Sequence, residues 1–200
     1  MLVVRAADLK QNLCWFEVKT ETAAAYREAR TILEELGYTF DAMVLDGKPG
    51  IKEVFVGIPI QHCQFHQIQT VNHYLTRRPK LQAAIELRTI ALALTKVREK
   101  YFTTLLTQWH NKWNDFLKER TTNPFTKKWF YTHKRIRSAY RSLKTNLPYL
   151  FTYQKYPELH IPNTTNSLDG TFSHLKQLLN THRGLKRQRR WKLIQEILRK

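Results

Sequence analysis

Two cysteines among 200 residues are too few for the disulfide framework of a small secreted protein. Long apolar runs are missing as well: the longest uncharged one, Thr89 to Thr95, falls far short of the roughly 20 residues that a membrane span needs. The opening Met1-Leu2-Val3-Val4 meets Arg5 before a signal region can develop, so a reduced, intracellular, cytoplasmic protein with no membrane partner is expected. Acidic side chains are the third scarcity, 16 against 34 Lys and Arg, a net of +18. The chain also has no internal repeat and no low-complexity linker. What it does have, 42% hydrophobic residues, suffices for the core of one ordinary domain or of one domain carrying an insertion.

The charge is unevenly placed. Residues 1–60 carry 7 basic and 9 acidic side chains (7 − 9 = −2), and residues 61–200 carry 27 and 7 (27 − 7 = +20). Such an excess is matched by a polyanion, nucleic acid first. Carboxylates in one part and cations in another suit an enzyme that processes nucleic acid better than a protein that only coats it.

The apolar pattern predicts strands over Leu2 to Arg5 and Leu13 to Lys19, joined as a hairpin through Asp8 to Asn12. Thr20 then caps a helix whose positions Tyr26, Ala29, Ile32, Leu33 and Leu36 recur at helical spacing until Gly37. Tyr38 to Leu45 reads as a strand ending at Asp46-Gly47-Lys48-Pro49-Gly50. A helix over Phe65 to Leu75 stops before Arg77-Arg78-Pro79, and Leu81 to Leu117 makes one long helix or two consecutive ones. Thr121 to Pro124 breaks the pattern, a basic aromatic helix is predicted over Lys127 to Lys144, and Asn146 to Thr165 reads as loop. A final helix starts near Asn166.

Asp46 is the first candidate for chemistry, since a carboxylate at the C-terminal end of a strand is held rigidly where substrates enter. An Asp-Gly pair also suits a plain turn. Asp169 falls in the first turn of the last helix, where the helix dipole favours a carboxylate whatever its function. Together, two acids from different elements fit the convergence on Mg²⁺ that phosphodiester chemistry uses. Cys63 and His66 share a helical face, but zinc needs about four ligands and Cys14 is remote, so the residues by themselves speak against zinc and suit a buried Cys and a satisfied His. Arg183, Lys186, Arg187, Arg189, Arg190 and Lys192 run together with no opposing charge, as a phosphate contact or a solvated face. Trp109, Trp113, Trp129, Tyr131 and Tyr140 alternate with cations and could stack on unpaired bases, although their spacing favours core packing.

Four ordered motifs extend over nearly the whole chain: Val44-Leu45-Asp46-Gly47-Lys48-Pro49-Gly50-Ile51, Ile58-Pro59-Ile60-Gln61-His62-Cys63-Gln64-Phe65-His66, Thr165-Asn166-Ser167-Leu168-Asp169-Gly170 and His182-Arg183-Gly184-Leu185. Together they resemble bacterial insertion-sequence transposases of the Mutator-like superfamily. The resemblance implies an α/β fold, an RNase H-like core with an all-α insertion. Residues 1–78 would form the N-terminal part of that core, 79–160 the insertion, and 161–200 its C-terminal helical part with a basic tail. It implies DDE-type strand cleavage and transfer with Mg²⁺ or Mn²⁺ on DNA, both transposon ends and target, in the nucleoid. Asp46 would match the second acid and Cys63 and His66 a Cys-x-x-His motif beside the active centre, while Asp169 stands where such proteins carry Glu. The strand bearing the first acid would precede Leu2, so the chain reads as truncated, with Asp8 only a turn residue and an exposed sheet edge favouring homo-oligomers. The rival reading is a non-catalytic DNA-binding remnant or regulator.

Overall fold

The computed structural model describes residues 1–199. In chain order the elements are β1 (Leu2–Ala6), β2 (Gln11–Phe16), α1 (Ala23–Glu35), β3 (Met43–Leu45), β4 (Ile60–His62), α2 (Gln64–Leu75), α3 (Gln82–Ala93) and α4 (Glu99–Lys118). They continue with β5 (Arg120–Thr122), β6 (Trp129–Tyr131), α5 (Lys134–Leu150), α6 (Thr152–Lys155), α7 (Asn166–Thr181) and α8 (Arg187–Leu198). The protein is therefore α/β with mostly helices. The described strands form two-stranded ribbons. The chain divides into two compact units, one of Met1–Ile60 with the segment from Thr165 onward, the other of Gln61–Thr164. Among the described residues no helix is long and apolar enough to cross a membrane.

In the first unit β1 pairs antiparallel with β2, Leu2 opposite Phe16 and Val4 opposite Cys14, with a bulge between Val4 and Arg5. Lys10 closes the connecting turn at φ 54. Thr22, two residues after the expected cap, starts α1 by accepting the Ala25 N–H at 3.3 Å. Gly37 ends it at φ 86, a conformation that costs glycine little, and the Tyr38 N–H returns to the Leu33 carbonyl at 3.0 Å. Ala29 and Leu33 of α1 pack on Leu2 and Val4. A separate cluster joins Leu45, Ile51, Val54 and Phe55. Tyr26 and Phe40 border both clusters, and Phe40 packs there from an irregular segment, so β3 is confined to three residues instead of starting at Tyr38.

The second unit is a helical assembly with one continuous core, including Val71, Leu87, Leu94, Phe102, Leu143 and Phe151. It begins at Gln61, and α2 contributes Val71 and Leu75 to the same core as α3 and α5. The 81–117 pattern resolves into two helices, which polar groups tie together. The Trp109 indole N–H donates to the Ala83 carbonyl at 3.0 Å, while Lys112 Nζ and Trp113 Nε1 donate to the Glu86 carboxylate at 2.7 and 2.8 Å. Those bonds, led by Lys112 and Trp113, hold the Glu86 carboxyl below its ordinary range.

Two expectations fail in this unit. Residues 127–133 are not helical: β5 and β6 form a hairpin, and α5 starts at Lys134. Asn146 to Leu150, expected as loop, continues α5 through Pro148. Pro148 forfeits one backbone bond there, but it lies close to the helix end, and Leu150 and Phe151 are fully buried behind it. Burial outweighs the missing N–H.

Candidate functional site

Asp46 follows β3 directly and is exposed. Its Oδ1 accepts the Lys48 N–H at 3.0 Å, which closes a turn between Gly47 at φ 85 and Gly50 at φ 82. The expected turn role and the expected strand-end position are thus both present. Lys48 reaches the Glu21 carboxylate at 3.8 Å. Burial pushes the Tyr26 phenol well above its ordinary value, and the charges of Glu21 and Asp46 push it further. Glu21 is the residue that sequence reasoning overlooked here. It lies outside every motif, and only the fold gives it and Asp46 a common neighbour.

Asp169 is half-buried in the first turn of α7. Its backbone N–H donates to the Thr165 carbonyl at 3.0 Å, and its Oδ2 accepts from Thr165 Oγ1 at 3.1 Å. Asp46 and Asp169 belong to the same unit, each with a local partner of its own. Among the described residues no group of three or more His, Cys, Asp and Glu is arranged to hold a metal ion. Asp46 and Asp169 thus form no three-ligand group for the Mg²⁺ or Mn²⁺ that the resemblance implies.

Cys63 and His66 lie in the other unit. Cys63 is 1% exposed, just ahead of α2, and its carbonyl accepts the Gln67 N–H at 3.1 Å. His66 is half-buried, its ring edge-on to Phe65 at 6.0 Å. The amides around them do the structural work. Gln61 and Gln64 Nε2 donate to the Leu150 carbonyl at 3.0 and 2.8 Å, and Gln61 Oε1 accepts the Tyr153 N–H at 3.1 Å. Gln67 Nε2 donates to Ser142 Oγ at 3.0 Å, and its oxygen accepts from Asn146 at 2.7 Å. Gln61 and Gln64 satisfy the last carbonyl of α5, and Gln64 and Gln67 fasten that helix to α2. Their spacing of three residues was the available signal: polar side chains on a face that should be apolar need partners.

Arg183, Lys186, Arg187, Arg189, Arg190 and Lys192 are all exposed. The first two precede α8, and the others occupy its first half, which contains no acidic residue in its first turn. Cations at a helix start oppose the positive end of its dipole, so their placement does not stabilise the helix. Arg187 meets Glu17 at 3.1 Å, a contact with both partners mostly solvated and therefore of small worth. Helix α8 is anchored at its other end: Leu198 is buried, and its carbonyl accepts Asn12 Nδ2 at 2.9 Å.

The aromatic residues divide. Trp109 is buried, Trp113 donates to Glu86, and Tyr140 stacks on His110 at 4.5 Å, so these belong to the helical unit's packing. Trp129 and Tyr131 lie on the β5–β6 hairpin. No protein-family model matches the chain, and neither does any curated protein or solved structure.

Proposed function

We propose that this chain is a transposase-like DNA-binding protein that grips the phosphate backbone through the turn before α8 and the first half of that helix. The observation that carries the reading is six exposed cations between Arg183 and Lys192 with no acidic residue among them. Phosphates beside the start of α8 would meet both these side chains and the positive end of the helix dipole. Cations that oppose a dipole in the free protein are compensated once an anion sits between them. A nucleoid location and self-association on DNA accompany the same reading.

The test is fluorescence anisotropy of the whole protein on duplex DNA over a range of salt. Six neutralised phosphates give a slope of log affinity against log salt near about −5. Arg189→Ala with Arg190→Ala reduces that slope by about 2. A salt-independent affinity, or a double variant that binds as the parent does, overturns the reading.

A second reading, Mg²⁺- or Mn²⁺-dependent strand cleavage and transfer in an RNase H-like core, is supported by Asp46 directly after a strand with Asp169 in the same unit. It ranks second because these acids do not form a three-ligand group. Nicking of supercoiled DNA that requires the metal and disappears in Asp46→Asn, with DNA affinity retained, would raise it to first.

A further inference from the structure

The hairpin in the helical unit is built for something other than the core. Arg120 pairs with Tyr131, Thr121 with Phe130 and Thr122 with Trp129. Pleating therefore puts Arg120, Thr122, Trp129 and Tyr131 on one face. There the Arg120 guanidinium lies 4.1 Å from the Trp129 ring centre and 5.6 Å from that of Tyr131, and Arg137 lies 3.6 Å from Tyr131 on its own account. Cations and rings alternate along the row.

The tip is folded into a hydrogen-bonded turn in the free protein. Asn123 Oδ1 accepts the N–H groups of Phe125 and Thr126 at 2.9 and 3.1 Å, and the Asn123 N–H donates to the Lys128 carbonyl at 2.9 Å. Lys127 closes the turn at φ 55, its N–H on the Asn123 carbonyl at 3.0 Å. Asn123 and the backbone make this turn, so Phe125 is not needed for it. Phe125 is nonetheless 92% exposed, with Trp129 at 54% and Phe130 at 42% on the same hairpin. From Arg120 to Pro157 the chain has nine Lys and Arg and no Asp or Glu. Exposed rings beside Arg120, Lys127 and Lys128 fit a ligand that offers both flat apolar faces and negative charge.

We propose that the β5–β6 hairpin is a second nucleic-acid contact, which stacks unpaired bases on Phe125 and Trp129 while Lys127 and Lys128 hold the adjoining phosphates. It rests on the DNA reading above for the class of partner, and on neither carboxylate. Every base has a flat face, so this contact selects single strands over duplex and not one sequence over another. The preformed turn lowers the ordering cost of binding.

The experiment is anisotropy of the whole protein on a labelled single-stranded oligonucleotide of mixed sequence and on its duplex. Phe125→Ala and Trp129→Ala each weaken single-strand binding about tenfold and leave duplex binding in place. Lys127→Ala with Lys128→Ala lowers the single-strand salt slope by about 1.4. All four side chains are solvent-facing, and thermal melts of the variants check that the fold is kept. Single-strand affinity unchanged in the aromatic variants overturns the proposal, as does an equal loss on duplex. If the hairpin variants bind normally while Arg189→Ala with Arg190→Ala does not, only this inference fails. If the unaltered protein binds neither form of DNA, both readings fail.

Discussion

The two units solve the same packing problem with unequal means. The helical unit gathers its buried side chains into one cluster, with Leu87, Phe102 and Leu143 wholly out of solvent. The α/β unit splits its apolar residues between two small clusters bordered by Tyr26 and Phe40. It also has α8 held at one end while the other presents cations. A continuous core leaves little freedom to its surface elements, whereas a divided core leaves segments that depend on single polar ties. The difference predicts where damage spreads and where it remains local.

The strongest way to break the comparison is Phe102→Ala. Removing a fully buried ring from the continuous core should cost about 3–5 kcal/mol. Hydrogen exchange resolved by peptide checks where the loss goes: protection should fall throughout residues 61–164 together. If it falls only around Phe102, the core is not cooperative and the contrast with the α/β unit disappears. Gln61→Leu comes next. It removes the acceptor of the Tyr153 N–H in a buried setting and leaves the Leu150 carbonyl to Gln64 alone, at a cost of about 1–3 kcal/mol by urea denaturation. A neutral result would mean that the glutamines are incidental to the fit of α5 on α2.

Those glutamines also mark how far the sequence could be read. Helices α1, α2, α3, α4 and α7 follow the apolar periodicity, because each buries a stripe that recurs at helical spacing. The hairpin at Arg120–Tyr131 escaped because Trp129, Phe130 and Tyr131 are aromatic and cation-flanked, as in an amphipathic helix. Only the Asn123 turn reveals the reversal. Pro148 and Asn146 suggested a loop, yet the continuation of α5 depends on partners more than 70 residues away, which no local pattern carries. For the candidate site, Asp46 was legible as an acid after a strand, and the exposed cations of α8 as a charge run. The neighbourhood of Glu21 was not, since it arises from tertiary packing around Tyr26.

In the α/β unit the corresponding probe is Asn12→Ala. Asn12 accepts from Arg5 at 2.8 Å and donates to the Leu198 carbonyl at 2.9 Å, so its loss removes the tie that holds the end of α8. The global cost should be about 0.5–1.5 kcal/mol for each bond lost. Exchange should rise mainly in residues 187–198, and DNA affinity should weaken with it if α8 is the phosphate contact. A uniform rise across the first unit would instead mean that α8 is integral to its core.

The smallest effect sharpens the comparison through charge. Both units shift a titrating ring by burial first, but the charges that add to it have opposite sign. Tyr26 is raised further by Glu21 and Asp46. His110 is lowered by burial and then by Lys144, Lys118 and Arg137, with its ring stacked on Tyr140. Protonating His110 puts a cation among cations, so its folded value lies below the unfolded 6.5. Its contribution is therefore complete above that value and is lost as pH falls through the folded one. His110→Gln removes this linkage. The stability of the parent relative to the variant should be constant above about pH 6.5 and shrink below it, as followed by denaturant midpoints on both proteins at matched salt. If the gap widens in acid, His110 is favoured as the cation, and the helical unit is not the positively charged environment that DNA binding through its hairpin requires.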